Sequence, residues 1–251
     1  MRTTRIFCDL PLQHAQQITL PAPAADHVAR VLRLRVGAPL TLFNGQGGEY
    51  AAQLATVAKR TVTAQVLQFY PIERESARPL MLLQSLTRGE KMDWIIQKAT
   101  ELGVTVIQPI TTERCVVNLD GARGDKRLAH WRAVAASACE QCGRNRLPEV
   151  REPCALADAL ADEPATVAQD AGAARIVLVP GASRSLDAIA RQATAVSVVV
   201  GPEGGLTPAE LDLLAARSFD PASLGSRILR METAAIAALA ILSVSAEDQP
   251  R

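Results

Sequence analysis

The sequence predicts an α/β domain built on parallel strands, preceded by a small, mostly antiparallel β module. Three observations carry this expectation. From Leu80 onward, short apolar runs rich in Val, Ile and Leu alternate with helical patterns, the order required by parallel strands joined through crossover helices. Before about residue 70, strand-like runs follow one another with a single helical interruption. Between Val196 and Glu210, a β-branched run, a glycine loop and a helix start follow in immediate succession. These are the parts of a ligand site at the carboxyl end of a strand.

In chain order, Arg5-Ile6-Phe7, Pro39–Phe43, Glu49–Val57 and Thr61–Phe69 are the expected strands of the first module, with Gly45, Gly47 and Gly48 turning the chain between two of them. Val28, Val31 and Leu32, followed by Gly37, predict one short helix over Asp26–Leu34. Pro71–Pro79 is polar and bounded by proline, which suits an interdomain linker. Leu80–Leu86 is then a buried strand. Gly89–Leu102 is a helix whose apolar face holds Ile95, Ile96, Ala99 and Leu102 and which stops at Gly103. Val104–Ile110, Ile176–Val179 and Val196–Val200 are further strands, with a helix over Leu186–Ala193. Thr207-Pro208-Ala209-Glu210 has the pattern of a capping box with proline at the first helical position. The apolar segment Ile228–Leu242 is too short to span a bilayer.

The totals bound the reading. A chain of 251 residues with 48% hydrophobic residues can bury a real core, and with aromatics at 3% that core must be filled by Ala, Leu and Val. A net charge of +1 gives no molecule-wide field for nucleic acid, so any RNA surface must come from local clusters of arginine. Five cysteines, an odd number, argue against a secreted disulfide framework, and the start lacks a signal-peptide apolar core. A soluble, cytoplasmic protein is expected. Cys139-x-x-Cys142 has no second Cys or His pair at zinc spacing, and His14, His27 and His130 stand in no nucleophile or metal grouping, so no metal is expected.

Taken as plain chemistry, the two loops Gly201–Gly205 and Leu224–Arg227 imply a nucleotide-like ligand in an α/β domain. They match neither phosphate-cradle motif. In residues and order, however, GPEGG followed by LG-x-RILR-x-ETA (Leu224–Ala234) resembles the C-terminal signature of the SPOUT methyltransferases. The match is best with the RsmE type, which methylates uridine N3 in 16S ribosomal RNA. Glu90–Val117 (EKMDWIIQKATELGVTVIQPITTERCVV), with KATELGV at Lys98–Val104 and the pair Glu113-Arg114, and His130–Val150, with Glu140-Gln141-x-x-Arg144 before Pro148, resemble further blocks of that family. His27–Gly37 and Leu42–Tyr50 resemble its N-terminal PUA-like barrel.

The resemblance implies a PUA-like RNA-binding barrel over residues 1–70, a linker over 71–79, and a SPOUT domain over 80–246 with a deep trefoil knot formed by roughly Ile176 to Leu242. It implies S-adenosyl-L-methionine among three loops, held by Leu178, Val179, Pro180, Gly201, Pro202, Glu203, Gly204, Leu224, Gly225, Ile228 and Leu229. Glu232 or Glu203 would serve as base, with Arg230 stabilising negative charge. Without the family, Arg230 and Glu232 could simply pair with neighbours across a helix end. Arg2, Arg5, Arg30, Arg33, Arg144 and Arg146 are the candidate RNA contacts; the plain alternative is a solvated helix face for Arg30, Arg33 and Arg35 and an exposed helix end for Arg144 and Arg146. Arg123, Lys126, Arg127 and Arg132 form another basic run, expected around a loop. The partners implied are 16S rRNA in the small ribosomal subunit and a second copy of the chain, in a homodimer burying Ala234–Leu242 and part of Glu140–Pro148; no membrane is expected. Rival readings are a ribose 2′-O-methyltransferase of the same fold and a non-catalytic RNA-binding assembly factor.

Overall fold

The computed structural model describes residues 3–58, 61–76, 78–117, 122–162 and 170–247. They fall into two compact units, residues 1–75 with 136–147, and residues 76–135 with 148–251.

The first unit is a five-stranded sheet of β1 (Thr4–Phe7), β2 (Gln17–Thr19), β3 (Pro39–Phe43), β4 (Glu49–Val57) and β5 (Val62–Tyr70), in the order β1-β3-β4-β5-β2. All neighbours are antiparallel except β1 and β3. Strand β2, three residues long, was not expected; so short a run carries almost no periodicity. Ile6, Ile18, Leu40, Leu42, Leu54 and Val66 point into one apolar cluster. The expected Asp26–Leu34 helix differs from what forms. Helix α1 (Ala22–Asp26) starts earlier, with Pro23 in its first turn, and runs into a π-helical turn over His27–Val31. Arg33 (φ +52°) then takes a left-handed conformation that ends the helical path.

Residues 136–147 come to this unit from the end of a helix, and charge explains why. Asn145 accepts from Arg5, Arg144 is paired with Glu75, and Gly47 N donates to the Asn145 carbonyl.

The second unit holds β6 (Leu80–Ser85), α2 (Lys91–Glu101), β7 (Val106–Thr111), α3 (Ala122–Cys142, through residue 135), β8 (Glu149–Val150), β9 (Cys154–Ala155), α4 (Leu156–Ala161), β10 (Ala174–Leu178), α5 (Leu186–Ala190), β11 (Val196–Val200), α6 (Pro208–Ala216), β12 (Asp220–Ala222) and α7 (Met231–Glu247). Its strands are all parallel, ordered β12-β10-β11-β6-β7-β8, with β9 also on β7. Period-two alternation divides each strand between two cores. Leu80 and Leu82 face α2, α3 and α7, whereas Met81 and Leu83 face Leu156, Leu160, Leu214 and Phe219. Every residue of β11 is buried, as expected of an interior parallel strand, and each such valine contributes roughly 1.5–3 kcal/mol. Pro221 lacks an N–H and is tolerated because β12 lies at the sheet edge. The basic run Arg123, Lys126, Arg127 and Arg132 stands on α3 and not around a loop; Arg132 donates to the Val150 carbonyl at 3.1 Å.

Two helix boundaries follow local chemistry closely. α2 stops at Gly103 (φ +85°), whose N–H returns to the Thr100 carbonyl. α6 opens on the full capping box: Thr207 Oγ1 accepts from Glu210 N, and Glu210 Oε2 accepts from Thr207 N at 2.8 Å.

Candidate active site

Three successive loops, leaving the carboxyl ends of β10, β11 and β12, enclose a cavity of about 310 Å³ in the second unit. That is where an open parallel sheet offers a crevice, and the volume lies at the lower end of the range for small-molecule pockets. Backbone hydrogen bonds tie the loops together: Val179 N donates to Ala222 O, Ser223 N to Arg184 O, and Leu186 N to Ser223 O. At two points a side chain would be crowded or strained. At Gly201 a Cβ would sit 3.0 Å from Leu206 Cγ, and Gly225 has φ +100°.

Leu178, Val179, Pro180, Gly201, Pro202, Glu203, Leu224, Gly225, Ile228 and Leu229 all line this cavity. Gly204 does not. Its carbonyl accepts from Arg114 Nη1 at 2.9 Å, so this part of the loop is held from the side of the Glu113-Arg114 pair. Residues not singled out in the sequence also line the cavity, notably Leu206, Leu211, Arg227, Met231 and Ala234. Those on α6 and α7 carried a signal only in their spacing from the loops. Ile228 is 84% exposed at the rim, an unusual position for so large an apolar side chain.

Of the acid–base candidates, Glu203 lies half-exposed on the glycine loop, and its Oε1 accepts from Lys91 Nζ at 2.6 Å. Lys91 Nζ is also 3.5 Å from Glu232 Oε2. Lys91 falls within the Glu90–Val117 block that resembles the family, where the resemblance implied no role for it. The hydrogen bond to Glu203, with the charges of Glu203 and Glu232, raises its pKa above the usual lysine value. Glu232 is mostly buried in the first turn of α7, outside the cavity lining, and its Oε2 lies 3.5 Å from Lys91 Nζ, a longer and poorly aligned contact beside the 2.6 Å hydrogen bond to Glu203. Arg230 is exposed and is not part of the cavity lining, although its neighbours Leu229 and Met231 are.

The arginines expected to grip RNA separate into two groups. Arg5 and Arg144 are a correction. The Arg5 guanidinium is buried, donating to Glu49 (2.5 Å), Asn145 Oδ1 (2.5 Å) and the Arg144 carbonyl (3.1 Å), and it lies over the Phe43 ring. Arg144 is buried on both oxygens of Glu75. These side chains hold the first unit together and offer no face to a phosphate. Burial favours the neutral form of Glu49, but hydrogen bonds from Arg74 and Arg5 outweigh it and hold its carboxyl below the usual range. Glu140, from the same polar run, accepts from Phe7 N at 2.8 Å, and burial pushes its pKa up. Arg146 pairs with Glu73 at 2.6 Å while remaining half-exposed. Arg30 and Arg33 are exposed, Arg30 lying 3.3 Å from Asp26, and Arg35, Val31 and Val36 are exposed beside them. Arg2 lies outside the described residues.

Neither Cys139 nor Cys142 is in a disulfide, and hydrogen bonding to Cys142 together with burial raises the Cys139 pKa. Among the described residues no group of three or more His, Cys, Asp or Glu side chains could hold a metal ion, and no helix is long and apolar enough to cross a membrane.

Comparison with known proteins gives two family matches, an RNA methyltransferase domain over residues 74–243 and an RNA methyltransferase PUA domain over residues 20–67. The chain is 30% identical to the ribosomal RNA small subunit methyltransferase E of Buchnera aphidicola subsp. Schizaphis graminum, covering 98% of both chains. It is 36% identical to that of Mycobacterium bovis, over 87% of this chain and 82% of the relative. The crystal structure of a ribosomal RNA small subunit methyltransferase E from Neisseria gonorrhoeae bound to S-adenosyl methionine superposes with a TM-score of 0.89 at 36% identity, covering 97% of this chain and 98% of the other.

Proposed function

The chain belongs to the RNA methyltransferase family matched over residues 74–243, and from that premise we propose that it methylates N3 of a uridine in the 16S ribosomal RNA of the small subunit. It is an S-adenosylmethionine-dependent ribosomal RNA methyltransferase of the SPOUT α/β class with an N-terminal PUA domain. The observation that carries the finer reading is the cavity of glycine loops lined by Glu203, whose partner Lys91 also reaches the buried carboxylate of Glu232 behind that lining.

The cavity suits the cofactor. Leu178, Leu224, Ile228 and Leu229 supply apolar walls, and the tight turns at Gly201 and Gly225 let backbone donors and acceptors approach a purine edge. S-adenosylmethionine, when bound, supplies an electrophilic methyl group on a positively charged sulfur. Uridine N3 carries a weakly acidic proton, so the protein must take it. Glu232 is the better placed base, because its Oε2 is buried and lacks an aligned donor, whereas Glu203 is half-exposed and already accepts from Lys91. Arg230 beside it stabilises negative charge growing on the flanking carbonyl oxygens. In this reading the segment from roughly Ile176 to Leu242 forms the trefoil knot of the SPOUT class. A uridine reachable at N3 must be unpaired or splayed out. The exposed Arg30, Arg33 and Arg146 contact phosphates, the substrate is the small subunit in the cytoplasm, and the active form is a homodimer.

The test is incubation of unmodified small-subunit particles and naked ribosomal RNA with methyl-labelled cofactor, followed by nucleoside digestion. The expected product is 3-methyluridine at one position. A 2′-O-methylated nucleoside would transfer the reading to the ribose enzyme, and RNA binding without label transfer would leave only an assembly factor.

A further inference from the structure

Lys91 is the first residue of α2, where the helix dipole disfavours a cation and helix stability gives no reason for one. What the position does provide is an ammonium between two carboxylates that arrive from elements far along the chain, Glu203 at 2.6 Å from the glycine loop and Glu232 at 3.5 Å from the first turn of α7. The two contacts are unequal. Glu203 accepts an aligned hydrogen bond, whereas the buried Oε2 of Glu232 feels the charge without one.

We infer that Lys91 is a positioning residue for methyl transfer, an ammonium that anchors Glu203 at the cavity rim and holds the Glu232 carboxylate in place while leaving its Oε2 able to accept a proton. The inference rests on the proposed role of Glu232 and adds a residue to it. An aligned hydrogen bond from Lys91 to Glu232 would occupy the oxygen that must act, and no cation at all would leave two carboxylates facing each other across the rim. Charge contact with one and a hydrogen bond to the other satisfies both needs. Arg114, the neighbouring cation on this loop, is bonded to the Gly204 carbonyl, and the ion pairs of Glu203 and Glu232 are with Lys91.

The test uses the full chain with the RNA substrate on which the wild type is active. Lys91→Met keeps the stem and removes the charge, and it should lower kcat by about thirtyfold or more. The KM for RNA and the calorimetric affinity for S-adenosylmethionine should each stay within about threefold. Lys91→Arg should recover most of the rate. Because Lys91 acts through Glu232, adding Lys91→Met to Glu232→Gln should cost less than about threefold further.

A readout without turnover comes from NMR of the protein alone. The Lys91 ammonium protons should exchange more slowly than those of the exposed Lys126, and Glu203→Gln should release them. An equal loss of rate in both backgrounds, or a loss confined to the KM for RNA, would overturn the inference and make Lys91 a phosphate contact. Loss of cofactor binding together with folding would make it merely structural. If the wild type yields some nucleoside other than 3-methyluridine, the functional reading fails while the same double-mutant cycle, followed on that product, still decides the role of Lys91.

Discussion

Arg144 and Arg33 show how little a residue's type says about its use. Both stand in basic stretches, and in the sequence each suits a phosphate equally well. Arg144 is buried on Glu75, a partner 69 residues away, whereas Arg33 is exposed on a left-handed turn. Arg144→Ala should therefore cost about 3 kcal/mol or more in urea unfolding, because it leaves the Glu75 carboxylate without its cation. Arg33→Ala should leave stability within about 0.5 kcal/mol and reduce the slope of log affinity for RNA against log salt by about one. If Arg144→Ala folded normally and instead reduced the salt slope, its assignment to the scaffold would fail. Glu203 and Glu232 make the complementary point, since two carboxylates 29 residues apart, one on an exposed loop and one mostly buried in a helix turn, share a single cation, Lys91.

At the level of elements, β11, the glycine loop and α6 form one continuous device whose local parts follow from local chemistry: β-branched residues for a buried strand, glycines for a tight turn, Thr207 and Glu210 for the cap. Its placement is non-local. Glu210 uses Oε2 for the cap and Oε1 to accept from Glu113 N, while Arg114 holds the Gly204 carbonyl, so the exit of β7 sets the position of the loop. Arg78 plays a similar part for α7. From a segment expected to be linker, its buried guanidinium donates to the carbonyls of Ala190, at the end of α5, and of Leu242 in α7. Burial lowers its pKa. Arg78→Met should cost about 2–3 kcal/mol and increase hydrogen exchange in α7 more than in α2. Uniform destabilisation of both helices would show that Arg78 does not act on α7 in particular.

For the molecule as a whole, α7 decides what remains for a second copy. Ala235, Ala238, Leu239 and Leu242 are fully buried within the chain's own core, so the Ala234–Leu242 part of the surface expected to form a dimer is reduced to the opposite face, where Ile241 and Val244 are exposed; the other expected part lies in Glu140–Pro148. Light scattering at micromolar concentration should give twice the 26.8 kDa chain mass. Val244→Asp should shift the population toward the single chain with little effect on folding. A wild-type protein of single-chain mass would remove the dimer from the functional reading.

What the sequence by itself determined was whatever depends on neighbours a few residues apart: alternating strands and helices from Leu80, the capping box at Thr207, the stop at Gly103, and two glycine loops whose order resembles one enzyme family. Such signals are written into backbone sterics and short hydrogen bonds, and they persist wherever the segment goes. Only the tertiary structure decided which charges meet. Lys91 lies 112 residues from Glu203, and Arg5 lies 140 from Asn145, separations over which no local preference acts. Residues 136–147 return to the first unit although they continue a helix begun in the second. The physical reason is that a charge is recognised by whatever the folded path brings within a few ångströms of it, and that path is set by the cores of both units and not by the residues beside the charge.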